Sequence, residues 1–367
     1  MSHRKTSAWA AMAAAASLLL AGCGVTNTGA TGGSTDGPFY AGRQITLIVP
    51  FDAGGASDTY SRMLAGHLSK HLEGNPTIIV ENVPGGAQKD GMNRFERSEH
   101  NGLNLVMGSG SLVSATKFDR EGIQFDLAAY EPLVAFGGTM VIFGSTQAGV
   151  TSVESLRNSA NPIFYGGLEL NASEAVRTFA LEEMGLANFE PLMGYDGGGA
   201  VTAAVLRGEL SIGNSTSSHY IENVKQLEDE GSVVPLMTQG YVEGDEIVRD
   251  PAFPDLPTMP EVYTTLTGRT PEGIGWDTYR ALTAAQTNLL RTYWVHGDAP
   301  EEARVALRAA VEELVRDEAF TADAKKLLHV DSPPQTGAEV EATIGQILDL
   351  DARSVTWLEE YMARVRA

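Results

Sequence analysis

One cysteine, Cys23, is present in 367 residues, so no disulfide can form within the chain. Basic residues are also scarce. Lys and Arg number 26 against 47 Asp and Glu, for a net charge of −21. That balance excludes a nucleic-acid surface or an anionic-membrane surface, which need clustered positive charge. It does not exclude a small anion, because helix ends and backbone N–H groups set the field inside a narrow cleft. Beyond the N-terminus no apolar run approaches the length of a membrane span. The enzyme signatures are missing as well. There is no G-x-x-x-x-G-K-[ST] phosphate loop, no H-E-x-x-H metal pair and no G-x-G-x-x-G dinucleotide turn. Gly108-Ser109-Gly110-Ser111 lacks the G-x-S-x-G spacing of a nucleophile elbow. The seven histidines are scattered. His67 and His71 share a helix face but lack a nearby third ligand, so they read as flanks of an apolar stripe. His219 either lines a cleft or starts a helix. The expectation is a chain with no metal, no cofactor and no catalytic set.

What is present is an ordinary globular composition, 43% hydrophobic and 20% charged, long enough for two domains. The first residues read as an address. His3, Arg4 and Lys5 precede the apolar run from Ala8 to Leu20, too short to span a bilayer, which ends in Leu20-Ala21-Gly22-Cys23. That ending resembles a bacterial lipobox, in which residues 1–22 are removed and Cys23 is lipidated. The alternative is an ordinary secretory signal with a chance cysteine. With Cys23 lipidated, no thiol nucleophile or cysteine-based zinc site remains. Residues 23–42 then form a lipidated tether rich in Gly, Ser and Thr, reaching roughly 20–25 Å. The body would be exported and held to the outer face of the cytoplasmic membrane, or to a periplasm-facing membrane, only through its lipid.

The body repeats one local theme. Ile45 to Val49 reads as a buried strand, Pro50 ends it, Gly54-Gly55 turns tightly, and Ser57 or Asp58 can cap a helix. Tyr60, Leu64, Leu68 and Leu72 give that helix an apolar face. The theme recurs at Leu103–Ser111, at Pro162–Ser173, where Asn171 or Ser173 could cap, and at Pro191–Ala200. Strands alternating with helices imply mainly parallel α/β sheets, whose ligands sit at the carboxyl ends of strands. Glu169 and Asp196 lie inside two of the turns. Further along, Glu209–Gly213 reads as a strand followed by a polar turn over 214–218. Asp298 reads as the cap of a helix with Glu301 completing a capping box. One last helix is expected from about Gly337 to Arg366.

Several segments carry a resemblance. Pro50-Phe51-x-Ala53-Gly54-Gly55-x-x-Asp58, Val80-Glu81-Asn82-x-Pro84-Gly85, Gly194 to Glu209 and Asp255 to Glu261 together resemble the tripartite tricarboxylate transporter substrate-binding proteins, the TctC or Bug family. Gln88-Lys89-Asp90 departs from that pattern, standing where a more glycine-rich turn is usual, and the 276–290 segment looks longer and more helical. The resemblance implies an α/β, two-lobed periplasmic-binding-protein fold of type II with the ligand cleft between lobes. One lobe would comprise 43–138 and 266–367, and the other 139–265. It implies a non-enzymatic, monomeric protein that captures a small organic carboxylate, of di- or tricarboxylate type, for large and small membrane transporter subunits. A sensory partner of a membrane histidine kinase is the alternative. Carried over, the ligand contacts are Phe51, Gly54, Gly55, Ser57, Asp58 and Ser109 on one lobe. On the other they are Gly167, Asn171, Ser173, Tyr195, Gly197, Gly198 and Gly199.

Overall fold

A computed structural model describes residues 37–366 apart from 187, 196, 244–245 and 329–333. Cys23, its leader, most of the tether and Asp196 therefore lie outside the described residues. From Gly37 onward the chain is one compact unit built on two sheets and a small hairpin.

The first sheet has the order β13-β4-β12-β3-β1-β2, from β1 (Gln44–Val49), β2 (Thr77–Asn82), β3 (Asn104–Gly108), β4 (Tyr130–Phe136), β12 (Arg291–His296) and β13 (Gln335–Thr336). The second has the order β7-β6-β8-β5-β9, from β5 (Met140–Ser145), β6 (Ile163–Gly166), β7 (Phe189–Leu192), β8 (Ile212–Thr216) and β9 (Val233–Thr238). The hairpin pairs β10 (Tyr241–Glu243) with β11 (Glu246–Val248). Both sheets are mixed rather than mainly parallel. β1 lies parallel to β2 and β3, and β6 parallel to β7 and β8. β12 runs antiparallel to both its neighbours, and so does β5. The reversed strands are those the chain enters after crossing between sheets, at 137–139 and on its return before Arg291.

Strand alternation sorts the core. Ile45, Leu47 and Val49 of β1 face Tyr60, Leu64 and Leu68 of α1 (Ala56–His71), together with Ala303, Leu307 and Val311. Ile48, on the other side, joins Met92, Val106, Leu112 and Trp294. Each fully buried leucine on such a face contributes about 2 kcal/mol. Along the chain follow α2 (Lys89–Glu96), α3 (Gly110–Phe118), α4 (Val153–Arg157), α5 (Ala172–Glu183), α6 (Gly198–Leu206), α7 (Ser217–His219), α8 (Lys225–Asp229), α9 (Met259–Thr267) and α10 (Ile274–Asn288). The C-terminal part adds α11 (Glu301–Leu314), α12 (Glu318–Leu328), α13 (Ala338–Leu348) and α14 (Ala352–Arg366). The 276–290 segment is thus mostly helix, and α10 packs on α3 and α13 as well as on α5, so it touches helices associated with both sheets.

Four local expectations are corrected. The N-cap of α1 is Gly55, with no side-chain cap, because Asp58 turns back to bond Gly54 instead. The strand expected at 209–213 lies at Ile212–Thr216; its polar residues tolerate a strand because Asn214 bonds Tyr165 Oη and Gly166 O. Asp298 does not cap α11. Its side chain is exposed, Pro300 occupies the N-cap, and no capping box forms. The last helix breaks at Leu350, where Asp351 accepts the Ser354 N–H and starts α14.

Candidate functional site

The four glycine turns all stand at carboxyl ends of strands. The turns after β1 and β3 are neighbours because those strands pair, and the turns after β6 and β7 are neighbours for the same reason. Each leads into a helix: α1, α3, α5 and α6. A helix start leaves N–H groups without intrahelical partners and a positive dipole end, which suits an anion.

On the first lobe, Gly54 has φ +82° and donates its N–H to Asp58 Oδ2 at 2.8 Å. Asp58 is buried and also accepts from Arg62 Nε at 3.0 Å and Asn82 Nδ2 at 2.9 Å. Burial pushes the Asp58 carboxyl up, but these three hydrogen bonds outweigh it and hold it below its usual value. Its oxygens are therefore engaged by the loop, α1 and β2. Asp58 shapes the turn, and the N–H groups of Ala56 and Ser57 lie ahead of the first intrahelical bond, Thr59 N–H to Gly55 O. Gly55 closes on Asp52 O at 3.3 Å. Ser57 is half-buried, and its hydroxyl has no partner among the described residues. Phe51 is half-buried against the core below, and its carbonyl accepts from Asn82 Nδ2 at 3.1 Å.

Ser109 is held by a residue that the sequence marked only as a departure. The Gln88 side chain accepts from Ser109 N at 3.0 Å and bonds both Ser109 Oγ and Ser111 Oγ. To do so Gln88 adopts φ +79° and Ala87 φ +51°, left-handed conformations that glycine would take without strain. The signal for this brace was the missing glycine itself.

On the second lobe, Gly167 donates to Leu192 O at 3.0 Å and accepts from Tyr195 N at 3.3 Å, tying the two turns together. A Cβ at Gly167 would meet Met193 Sδ at 2.6 Å, so only glycine fits without movement. Asn171 is the N-cap of α5, accepting the Glu174 N–H at 3.0 Å. Ser173 is buried, and its Oγ has no partner. Tyr195 is half-buried. Gly197, with φ +142°, precedes α6 without a side-chain cap, Gly198 is half-buried and Gly199 is exposed. A Cβ at Gly198 would lie 3.4 Å from His219 Cδ2, which puts His219 beside this turn. The His219 Nε2 is buried without a partner among the described residues, and burial pulls its pKa down. Beneath the turns, Tyr165 Oη donates to Glu174 and accepts from Asn214 Nδ2 at 2.7 Å, which fixes β6, β8 and α5 relative to one another. No hydrogen bond or ion pair among the described residues joins the 51–58 loop to the second-lobe turns.

One group of possible metal ligands gathers elsewhere: Glu96, His100 and His296. His296 Nδ1 accepts the Asp298 N–H at 3.1 Å. That places the ring proton on Nε2, so the atom nearest Glu96, 3.8 Å away, offers an N–H rather than a lone pair. His296 pairs with Tyr130, at the opposite end of β12 from the turns. This set does not fit a cation.

No protein-family model matches the chain, and no curated relative matches it. Solved structures do. The periplasmic binding protein BugD aligns at a TM-score of 0.61 and 19% identity, over 89% of this chain and 99% of its own. A TctC solute-binding protein from Polaromonas aligns at 0.58 and 18%, over 89% and 99%. MatC from Rhodopseudomonas palustris, with bound malate, aligns at 0.58 and 16%, over 87% and 99%. An R. palustris protein solved with adipate aligns at 0.60 and 18%, over 86% and 98%. The chain has the two-lobed fold of these binding proteins.

Proposed function

We propose that this chain is a solute-binding protein of the TctC or Bug kind that captures a small organic carboxylate, of di- or tricarboxylate type, between its lobes. One observation carries the reading. Two pairs of neighbouring strand ends, one pair per sheet, each open through glycine turns onto helix starts. The shared fold and the malate and adipate held by two proteins of that fold support the ligand class. The missing enzyme motifs support binding without turnover. The ligand is passed to large and small membrane transporter subunits by a monomer that acts outside the cytoplasm.

A thermal-shift screen against mono-, di- and tricarboxylates tests the binding role, since a ligand that binds only the folded form raises the melting temperature. No shift with any acid at millimolar concentration overturns it. Anchoring through Cys23 has its own test. The Cys23→Ser chain leaves the membrane fraction of expressing cells, and retention there refutes the lipid anchor.

A further inference from the structure

Arg291, the first residue of β12, is 2% exposed. Its Nε and Nη1 are buried without a hydrogen-bond partner, and no described carboxylate pairs with it. A guanidinium stays charged in a protein, and a buried ion without a counter-ion is strongly destabilising. Arg177, also deeply buried, differs, for its Nη2 lies 3.5 Å from Glu174 Oε2. Arg291 has aromatic neighbours instead: its guanidinium lies 5.6 Å from the Tyr60 ring, and Tyr293 shares its face of the strand. Burial pulls its pKa down, which Tyr293, Tyr60, the Glu222 carboxylate and Tyr241 partly offset.

Its place in the fold supplies a reason for such a charge. Arg291 pairs with Phe136, where the chain leaves the first sheet, and Thr292 pairs with Gly108, just before Ser109. Tyr60 sits one turn inside α1, whose start is the 54–58 loop, and Tyr60 Oη is also buried without a partner. From the second lobe, Ser217 brings another unpartnered buried hydroxyl to within 3.7 Å of where a Cβ on Gly138 would stand. Uncommitted donors thus collect where the chain crosses between lobes, close in the fold to the 54–58 loop and around one cation that has no ion-pair partner among the described residues.

We propose that Arg291 receives a second anionic group of the ligand, so that the site takes an acid with two separated carboxylates. One carboxylate lies at the start of α1 and the other on the guanidinium. This rests on the carboxylate-binding reading above and deepens it.

The test titrates dicarboxylates from malonate through adipate, each beside the monocarboxylate of equal length, into the full chain, R291Q and R291K by calorimetry. The expected result is a wild-type preference for one dicarboxylate. R291Q loses affinity for it on the order of ten- to a hundredfold while the matched monocarboxylate is unaffected, and R291K keeps part of the preference. R291Q without ligand melts no lower than wild type, because a buried charge without an ion-pair partner has been removed. Equal losses for both acids, no loss for either, or a wild type indifferent to the second carboxylate overturns this inference alone. So does an R291Q that melts well below wild type with R291K restoring it, since that marks a purely structural arginine. A wild type that binds no acid overturns the carboxylate-binding reading and this one with it.

Discussion

Removing the Asp58 carboxylate tests whether Asp58 shapes the proposed site while Ser57 would touch the ligand. Asp58 accepts from Gly54 N, Arg62 Nε and Asn82 Nδ2 at 2.8, 3.0 and 2.9 Å. A hydrogen bond to a charged group is worth about 1.5–3 kcal/mol net. Three would sum to more, but the Arg62 side chain is 49% exposed and Gly54 is at the surface, so water replaces much of what is lost. The expected cost of Asp58→Ala is therefore about 1–3 kcal/mol, a few degrees of melting temperature in a chain of this size. Affinity should fall further than that loss suggests, because Gly54 loses the bond that orients the turn. Ser57→Ala is the counterpart. Its hydroxyl has no protein partner, so melting should not change while carboxylate affinity drops. The pH dependence has a defined sign. A folded pKa held below 3.8 stabilises the protein above that value and is lost as pH falls through the folded pKa. Wild type and Asp58→Ala should therefore differ by a constant amount from pH 5 to 8 and converge below about 3.8. Melting curves and calorimetry on the three proteins decide the matter. If Asp58→Ala and Ser57→Ala both bind with wild-type affinity, the 54–58 loop is not part of the site.

Gln88→Ala should destabilise by about 1–3 kcal/mol through loss of the bonds to Ser109 and Ser111. Gln88→Gly should cost less, because glycine relieves the φ of +79°; equal melting temperatures would contradict that ranking. Burial pushes Asp250 up to about 6, and its Oδ2 has no partner. Asp250→Asn should therefore stabilise by roughly 3 kcal/mol at pH 8, with the gain shrinking as pH falls through 6 and gone near 3.8, as denaturant melts across pH will show. Burial, with His100 beside it, holds His296 below its ordinary 6.5. Folding then favours the neutral ring, stability declines as pH drops below 6.5, and His296→Gln should flatten part of that decline.

The features legible in the sequence were those imposed by the backbone or by periodicity. Gly54 and Gly197 both adopt positive φ, so their turns announce themselves as glycine. The face formed by Tyr60, Leu64 and Leu68 follows from helical spacing alone. What escaped depends on partners distant in sequence. Asn214 looks like turn material until Tyr165 and Gly166 satisfy its amide inside the second sheet. Asp58 looks like a helix cap or a ligand contact until Asn82, from the adjoining strand, and Arg62 engage it. Arg291 offers no signal, since a lone basic residue before a strand is ordinary and only its neighbours reveal it as a buried charge without an ion-pair partner among the described residues. The break at Leu350 was readable, because Asp351 three residues before Ser354 is an N-cap pattern.

The proposed acid-binding site lies on a body of net charge −21, so its attraction needs an account. At physiological ionic strength the Debye length is about 8 Å, so scattered surface carboxylates act weakly inside a cleft, while N–H groups at contact distance are not screened. The two lobes supply those groups differently. On the first, Asp58 and Gln88 already hold the turns in shape, so binding there pays little ordering entropy. On the second, Ser173 Oγ, Ser217 Oγ and His219 Nε2 are buried without partners among the described residues. Each such group carries a penalty of about 1–3 kcal/mol that an acceptor-rich ligand, or the water it brings, can relieve. In the proposed site the first-lobe turns would hold one carboxylate. Discrimination would then fall to Arg291 and to the second-lobe groups whose needs only a ligand of the right shape can meet.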